Sequence, residues 1–300
     1  VYNLTILASI IMKFLKIFIL LMFFSFFSNS AACAIKIGLL TQTDDDIYIG
    51  VSKAGAIIDV QDGSYLTNLE QMKPYRLKKH GNIIEIEINK KKYGINAKEI
   101  IIKSNESDAF VYTKKRWYRG FLIIKNDSKG LTVINELDME NYIKGVVPSE
   151  MPPGWNIEAH KAQAIAARSY AAANLGKRLK YGFDLYDTPL DQNYIGVSAE
   201  TTRTNRAVDD TQGQVLVYGG KVIPAYYHAS AGGSTLPAEQ VWGKFLPYIK
   251  GVKSFDENVP CKGHRVGMSQ TGANTMANMG YTAYQILGYF YNEVMLRKLY

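Results

Sequence analysis

Eight alanines fall between Ala159 and Ala173, and this run constrains the fold more than any other segment. Asn156, a helix-capping residue type, stands just ahead of it. Ile157, Ala162, Ile165, Ala166, Tyr170 and Ala173 line one side, so the pattern predicts a helix running to about Leu175. With so little side-chain bulk the helix is thin, and a thin helix lets neighbouring backbone come close. It is therefore expected at the centre of its domain.

The chain ahead of that helix has a different rhythm. Ile35-Lys36-Ile37, Ile47 to Val51, Ile83 to Ile88 and Phe121 to Ile124 alternate or run apolar, with Gly, Asn, Asp or Lys at the breaks, which is the pattern of strands. The reading is α+β: an antiparallel β-rich region over 35–135, then a mixed α/β domain over 136–300 that contains the Ala-rich helix. Within the second part, Asp138 to Val147 leads into a Pro-rich corner at Pro148 to Trp155. Gln214 to Tyr218, Gly219-Gly220 and Lys221 to Ile223 read as a hairpin. Helices are expected over Ser269 to Met279 and Thr282 to Tyr291. The charge runs Asp44 to Asp46, Lys90 to Lys92 and Lys114 to Arg116 read as solvated turns, a polyanion contact being the alternative.

Six of the 12 Phe lie in the first 34 residues. Met12 to Lys16 is a short basic start, Ile17 to Phe27 is apolar but short for a span, and the stretch ends Ala32-Cys33-Ala34. Residues 1–34 therefore read as a secretory signal peptide, with Met12 a plausible start and an uncleaved membrane anchor as the alternative. Lipid attachment at Cys33 is a weaker variant, because Ser30 stands where a lipidation box wants Leu. The expected location is exported: periplasm, cell wall or extracellular space, with membrane contact only through this segment if it is retained. Loss of the leader would leave Cys261 as the one thiol, so no internal disulfide is expected. The chain carries 35 Lys and Arg against 27 Asp and Glu, a net charge of +8. These residues are scattered rather than striped, so nucleic acid is not an expected partner, whereas anionic wall polymers are compatible.

Three constellations offer chemistry. Glu150 sits among Val146, Val147, Pro148, Met151, Pro152 and Trp155; burial there would raise its pKa and suit it to general acid work, whereas an exposed or capping Glu is the alternative. Tyr226 to Thr235 ends a strand with His228, Ser230, Gly232 and Gly233. It reads either as a ligand-binding turn, with a Ser/His nucleophile pair conceivable, or as a packed His in a turn. Gly263 to Gln270 places His264 before a helix start at Ser269, which would cap the helix or bind a ligand. His228 and His264 lie far apart in sequence, and HxxxH, HExxH and CxxC spacings are missing, so no metal is expected. His80 and His160 read as surface positions. With neither a phosphate-binding loop nor a dinucleotide fingerprint, no cofactor is expected.

Taken in order, several stretches resemble the stage II sporulation protein D family, which also includes enhancers of cell-wall amidases. They are YRG at 118–120, LTVINELDMENYIKGVVPSEMP at 131–152, AHKAQAIAARSYA at 159–171, AVDDTQGQVLVYGGKVIPAYYHASAGGST at 207–235, VWGKFLPYIKGV at 241–252 and GHRVGMSQTGA at 263–273. The resemblance implies a peptidoglycan lytic transglycosylase whose catalytic acid is Glu150. It further implies that Tyr227, His228, Ser230, Gly232, Gly233, His264, Ser269 and Gln270 line the glycan cleft, supported by Arg168 and Tyr170 from the helix. The implied partners are peptidoglycan glycan strands and, in the alternative, a cell-wall amidase that a non-catalytic chain would stimulate.

Three departures from the family pattern stand out. Tyr186, Leu190 and Asp191 occupy places where some members carry a zinc-binding Cys/His/Cys cluster. Arg265 stands where Gly is usual, and only about eight residues join Val252 to Cys261. Without the leader the chain holds 20 Tyr against six Phe. Tyrosine suits a groove that stacks on sugar rings and bonds their hydroxyls, and Tyr170, Tyr194, Tyr226 and Tyr227 are the ones expected there.

Overall fold

The strand pattern builds two sheets before the first helix begins. The computed structural model describes residues 33–300, and the leader-like stretch lies almost wholly outside the described residues. The strands are β1 (Ala34–Thr43), β2 (Ile47–Val51), β3 (Gly55–Asp59), β4 (Tyr65–Leu69), β5 (Tyr75–His80), β6 (Ile83–Ile88), β7 (Lys91–Ile95), β8 (Glu99–Ser104), β9 (Val111–Thr113), β10 (Arg116–Tyr118), β11 (Phe121–Asp127) and β12 (Gly130–Asp138). One sheet runs β1-β12-β11-β8-β3-β4 and the other β10-β9-β2-β5-β6-β7, with antiparallel neighbours throughout. Alternate residues point inward, so Ile35, Ile37, Ile47, Ile49, Ile84, Ile86, Ile100, Ile102, Leu122 and Ile124 are all buried. That alternation is what the sequence pattern had encoded.

The charge runs are only partly solvated turns. Lys114 and Lys115 take left-handed backbone angles, φ 50° and 60°, to close the tight turn between β9 and β10. Lys114 then turns inward: its ammonium donates to the buried Asp187 at 2.6 Å and to the Leu39 carbonyl at 3.0 Å. A carboxylate 73 residues downstream is not visible in a local charge pattern.

From β12 the chain enters helix α1 (Met139–Glu150), capped by Asp138, whose side chain accepts from the Asn141 amide at 3.0 Å. The sequence suggested a lead-in to a corner here, but a helix forms and contains Pro148. Proline removes one backbone donor; the Ser149 hydroxyl bonds the Gly145 carbonyl at 2.6 Å and the Met151 amide bonds Val147 at 3.0 Å, so the last turn closes. The helix ends at Glu150.

Helix α2 (Ile157–Ala173) is the Ala-rich helix, capped by Asn156 through the Glu158 amide. Twelve of its 17 residues are buried. His160 is among them, fully enclosed with Nε2 3.0 Å from the Pro152 carbonyl. This corrects its reading as a surface residue: a helix wrapped on nearly every side has no face left for solvent. His80, at the end of β5, is exposed.

The thinness of α2 has the expected effect. Strand β13 (Leu185–Tyr186) and helix α3 (Thr202–Asp209) follow, and then β14 (Gln214–Tyr218) runs close enough for the Leu216 amide to donate to Ser169 Oγ at 2.8 Å. The expected hairpin is β14 with β15 (Lys221–Val222), and β18 (Met295–Lys298) pairs on its other side. The short parallel pair β16 (Tyr227–His228) and β17 (Met268–Ser269), and helices α4 (Ala238–Trp242), α5 (Gln270–Asn278) and α6 (Ala283–Phe290), complete a core around Ala159, Ala162, Ile165 and Ala166. Among the described residues, no helix is long and apolar enough to cross a membrane.

The two regions are laced together near α1. β13 adds to the first sheet parallel to β1 at Ile37 and Gly38. A Cβ on Gly38 would stand 2.5 Å from the Phe183 ring, so only glycine admits this crossing. Asp184 accepts from the Lys36 amide at 2.8 Å and from the Gly176 amide at 2.7 Å. The loop leaving β13 is thus held at its start by the β-rich region.

Candidate functional site

Glu150 lies at the C-terminal end of α1, half-buried against the loop that leaves β13. The Asn193 amide donates to its Oε1 at 2.7 Å. Burial raises its pKa above the ordinary glutamate value, and hydrogen bonds from Asn193, Gln270 and Tyr227 oppose the rise without cancelling it. The helix C-terminus acts in the same direction as burial, because its exposed carbonyls carry partial negative charge. The result is a carboxyl with a raised affinity for its proton, facing neutral donors.

The side chains behind it form a hydrogen-bonded row. Gln192, from the same loop, donates to Tyr227 Oη at 2.8 Å and to the Ala167 carbonyl at 3.3 Å, while accepting from Tyr142 Oη at 3.2 Å. Burial keeps the Tyr227 and Tyr142 phenols protonated, their pKa values well above the usual 10. Gln270 is buried, and its amide reaches Gln163 at 3.4 Å.

Tyr170 stands one layer away. Its hydroxyl bonds Asp191 at 3.3 Å and receives Lys177 at 3.0 Å. Lys177 also reaches Asp191, at 2.6 Å, Arg178 adds a fork, and the Tyr186 amide donates at 3.0 Å. Burial pushes the Asp191 pKa up, but these donors outweigh it and hold the carboxylate below its usual range. Asp191 therefore fastens the loop that supplies Gln192 and Asn193. Of the three places where the zinc cluster would stand, Tyr186 and Asp191 join this ion-pair knot and Leu190 is exposed. Among the described residues no group of three or more His, Cys, Asp and Glu gathers as a metal site.

The remaining residues form a second group on the Gly-rich turn. Gly232 and Gly233, with φ 68° and 109°, wrap the turn around the segment between Val252 and Cys261. That segment carries Asp256, which the sequence reading missed. Its carboxylate accepts from the Ala231 amide at 2.7 Å, the Gly233 amide at 2.8 Å and the Ser269 hydroxyl at 2.6 Å, and also from Ser254. Burial raises its pKa, yet the four donors prevail and hold it low. Ser269 in turn caps α5 by accepting from Gly272 at 3.1 Å. The only local sign of this anchor is an Asp in a loop otherwise lacking helix or strand periodicity.

His228 and His264, 36 residues apart in sequence, are neighbours in space with ring centroids 5.4 Å apart. Burial, with a smaller push from His264, drives the His228 pKa down to about 4, so the ring is neutral. Its Nδ1 lies 3.3 Å from the Val266 carbonyl, and Ser230 donates to the Pro260 carbonyl at 2.6 Å. The Ser/His nucleophile pair therefore does not form: the Ser230 hydroxyl is taken by a backbone carbonyl, and His228 meets one through Nδ1 while its Nε2 bonds nothing in the protein.

Two more expectations are revised. Arg168, fully buried, forks onto Glu140 at 2.8 and 2.7 Å and donates to the Gln214 carbonyl at 3.0 Å. It ties α1, α2 and β14 together rather than reaching a ligand. Tyr194 is 1% exposed, its hydroxyl bonded to Asn135, its ring between Tyr118 and Tyr142; it belongs to the core, not a groove. Gly145 makes room for that ring, since a Cβ there would stand 2.4 Å from it. Arg265 adopts φ 62°, the left-handed region that favours glycine, and its guanidinium bonds the Ser234 carbonyl at 2.7 and 3.0 Å. The backbone turn survives the loss of glycine with strain offset by this fork.

A separate cavity of about 550 Å³, lined by Leu66, Thr67, Ile86, Tyr93 and Ile95, lies in the β-rich region and contains none of the residues above.

Comparison with known proteins bears on the region around Glu150. Residues 127–218 match the family described as Stage II sporulation protein. An uncharacterized protein of Brachyspira hyodysenteriae is 41% identical over 157 residues, covering 52% of this chain and 42% of that protein. The amidase enhancer of Bacillus subtilis is 43% identical over 107 residues, 36% of this chain and 14% of its own length. Stage II sporulation protein D of Bacillus subtilis is 35% identical over 143 residues, 42% of each chain. The chain thus spans less than half the length of each of these relatives. Glu150, Arg168, Tyr170 and the Gln192-Asn193 pair fall inside the family match, and the Gly-rich turn falls beyond it.

Proposed function

We propose that this chain, whose residues 127–218 belong to the stage II sporulation protein D and amidase enhancer family, is an exported peptidoglycan lytic transglycosylase with Glu150 as its acid and then its base. The family match and the likeness to an amidase enhancer support the coarser part, a role in cell-wall processing. The observation that carries the finer part is the half-buried Glu150 carboxyl, its pKa raised by burial and its surroundings made of neutral donors. The leader-like stretch over 1–34 supports export.

The chemistry needs one carboxyl where ordinary glycoside hydrolysis needs two. Protonated Glu150 gives its proton to the glycosidic oxygen between N-acetylmuramic acid and N-acetylglucosamine as that bond breaks. The resulting carboxylate takes the proton of the muramic acid 6-hydroxyl while its oxygen bonds to the anomeric carbon. A 1,6-anhydro end forms, no water is consumed, and Glu150 is protonated again. Asn193, Gln270 and Tyr227 donate to the transient carboxylate and so stabilise the step in which it exists.

Digestion of purified glycan strands tests this. The chain should release 1,6-anhydromuramic ends and Glu150→Gln on the order of a thousandfold fewer; equal absence from both, with glycan binding intact, would sink the enzymatic reading. The amidase enhancer likeness favours one other reading, a non-catalytic chain that stimulates an N-acetylmuramoyl-L-alanine amidase. It predicts that Glu150→Gln stimulates such an amidase as well as the parent does.

A further inference from the structure

We propose that Trp242 is the stacking platform of a sugar subsite that extends the Glu150 site along the aromatic row Tyr170, Tyr226, Trp242 and His264; this rests on the glycan reading above. Trp242 is the last residue of α4 and is 41% exposed. Its ring is nonetheless held in place, meeting Tyr226 at 4.7 Å and 64° and His264 at 5.0 Å and 63°. Both neighbours are themselves fixed. Tyr226 packs on Tyr170 at 5.8 Å, and its carbonyl accepts from Tyr291 Oη at 2.7 Å. His264 Nδ1 accepts from the Val266 amide at 3.1 Å.

A pinned, half-exposed indole offers what a pyranose requires: a flat apolar face that costs little ordering entropy, beside polar groups for the hydroxyls. The rest of its surface faces solvent. Gly243 turns the chain away in the left-handed conformation, and nothing beyond its own chain neighbours lies within 4 Å of where its Cβ would stand. A second observation points to a ligand. His228, 5% exposed and ring-to-ring with His264, has its Nε2 buried without a hydrogen-bond partner in the protein. With Nδ1 turned to the Val266 carbonyl, that Nε2 is an acceptor the protein leaves unfilled.

The row meets the candidate site at Tyr170, which favours a glycan over a protein partner as its occupant. Tyr170 packs on Tyr226, lies close enough to Tyr227 to act on its phenol as Glu150 does, and shares Asp191 with the loop that supplies Asn193. A glycan strand held at Glu150 would leave a further sugar to lie along these rings. The class of ligand is an N-acetylated pyranose of a β-linked strand.

The test is binding of a soluble strand of alternating N-acetylglucosamine and N-acetylmuramic acid to the Glu150→Gln chain, which holds the strand without cleaving it. Adding Trp242→Ala should weaken binding by about tenfold, the size of one lost aromatic contact, and Trp242→Phe should recover much of that loss. In a Trp117→Phe, Trp155→Phe background the remaining indole emission should shift as the strand saturates, a readout that does not depend on Trp242→Ala folding. Unchanged affinity in Trp242→Ala, or unshifted emission at saturation, would overturn the subsite while leaving the role of Glu150 standing. Emission that responds to an added amidase but not to glycan would overturn it too. If the Glu150→Gln chain fails to bind glycan at all, the functional reading falls and takes the subsite with it. If it binds but the parent yields no anhydro ends, only the enzymatic step falls.

Discussion

Glu150 and Asp256 are both carboxyls whose pKa burial pushes upward, yet they end on opposite sides of their ordinary values. The difference is how far the donors outweigh the loss of water. Asp256 collects two backbone amides and two hydroxyls, enough to saturate a carboxylate, and so is locked in its charged form. Glu150 draws on the Asn193 amide at 2.7 Å and on Gln270 and Tyr227, yet there burial wins. A carboxylate whose donors outweigh its burial organises structure, whereas one whose burial outweighs its donors keeps a proton to give.

The contrast is easiest to break at Glu150. Glu150→Gln keeps the shape and removes the proton, so glycan cleavage should fall on the order of a thousandfold, read from anhydro-end release, while the fold survives. The same variant should melt slightly higher than the parent at neutral pH. A carboxyl whose folded pKa is raised costs stability once the pH exceeds its unfolded value, and below that value the advantage of Gln should disappear.

Asp256 should behave in the opposite way. Asp256→Ala leaves the Ala231 and Gly233 amides and the Ser254 and Ser269 hydroxyls without their acceptor, a loss of about 3 kcal/mol of stability measurable by denaturant unfolding. Because its folded pKa is depressed, the stability it contributes is present above the unfolded aspartate value and is lost as pH falls below it. A parent and variant that lose stability in parallel down that acid range would show that the donors do not hold Asp256 in its charged form.

Tyr227 allows a smaller adjustment. Its hydrogen bond lowers the Glu150 pKa, so Tyr227→Phe should raise it and move the falling alkaline limb of the activity profile a fraction of a unit to higher pH. A shift to lower pH would mean that Tyr227 destabilises the Glu150 carboxylate. In either chain, activity should fall as pH rises through the Glu150 pKa, because the acid must begin protonated.

The elements differ in how far they could be read in advance. The α2 cap at Asn156, the β14–β15 hairpin and the caps at Ser269 and Thr282 rest on partners within a few residues, and local pattern suffices for them. Helix α1 was obscured because Pro148 looks like a helix breaker, and its tolerance depends on Ser149 and Met151 closing the final turn. His160, Arg168 and Tyr194 look like surface or site residues by type; what surrounds them comes from other elements.

Sequence by itself determined the α+β order, the thin central helix, the strand faces and the candidacy of Glu150, because periodicity, caps and apolar neighbours act over one or two turns of chain. Only the tertiary structure decided which carboxyl would be poised and which locked. The Asn193 amide reaches Glu150 from 43 residues away, Asp256 reaches back 25 residues to Ala231, and the β-rich region holds Asp184 across 148 residues through Lys36. Desolvation and donor supply are sums over everything packed around a group, and that sum exists only once distant segments have met.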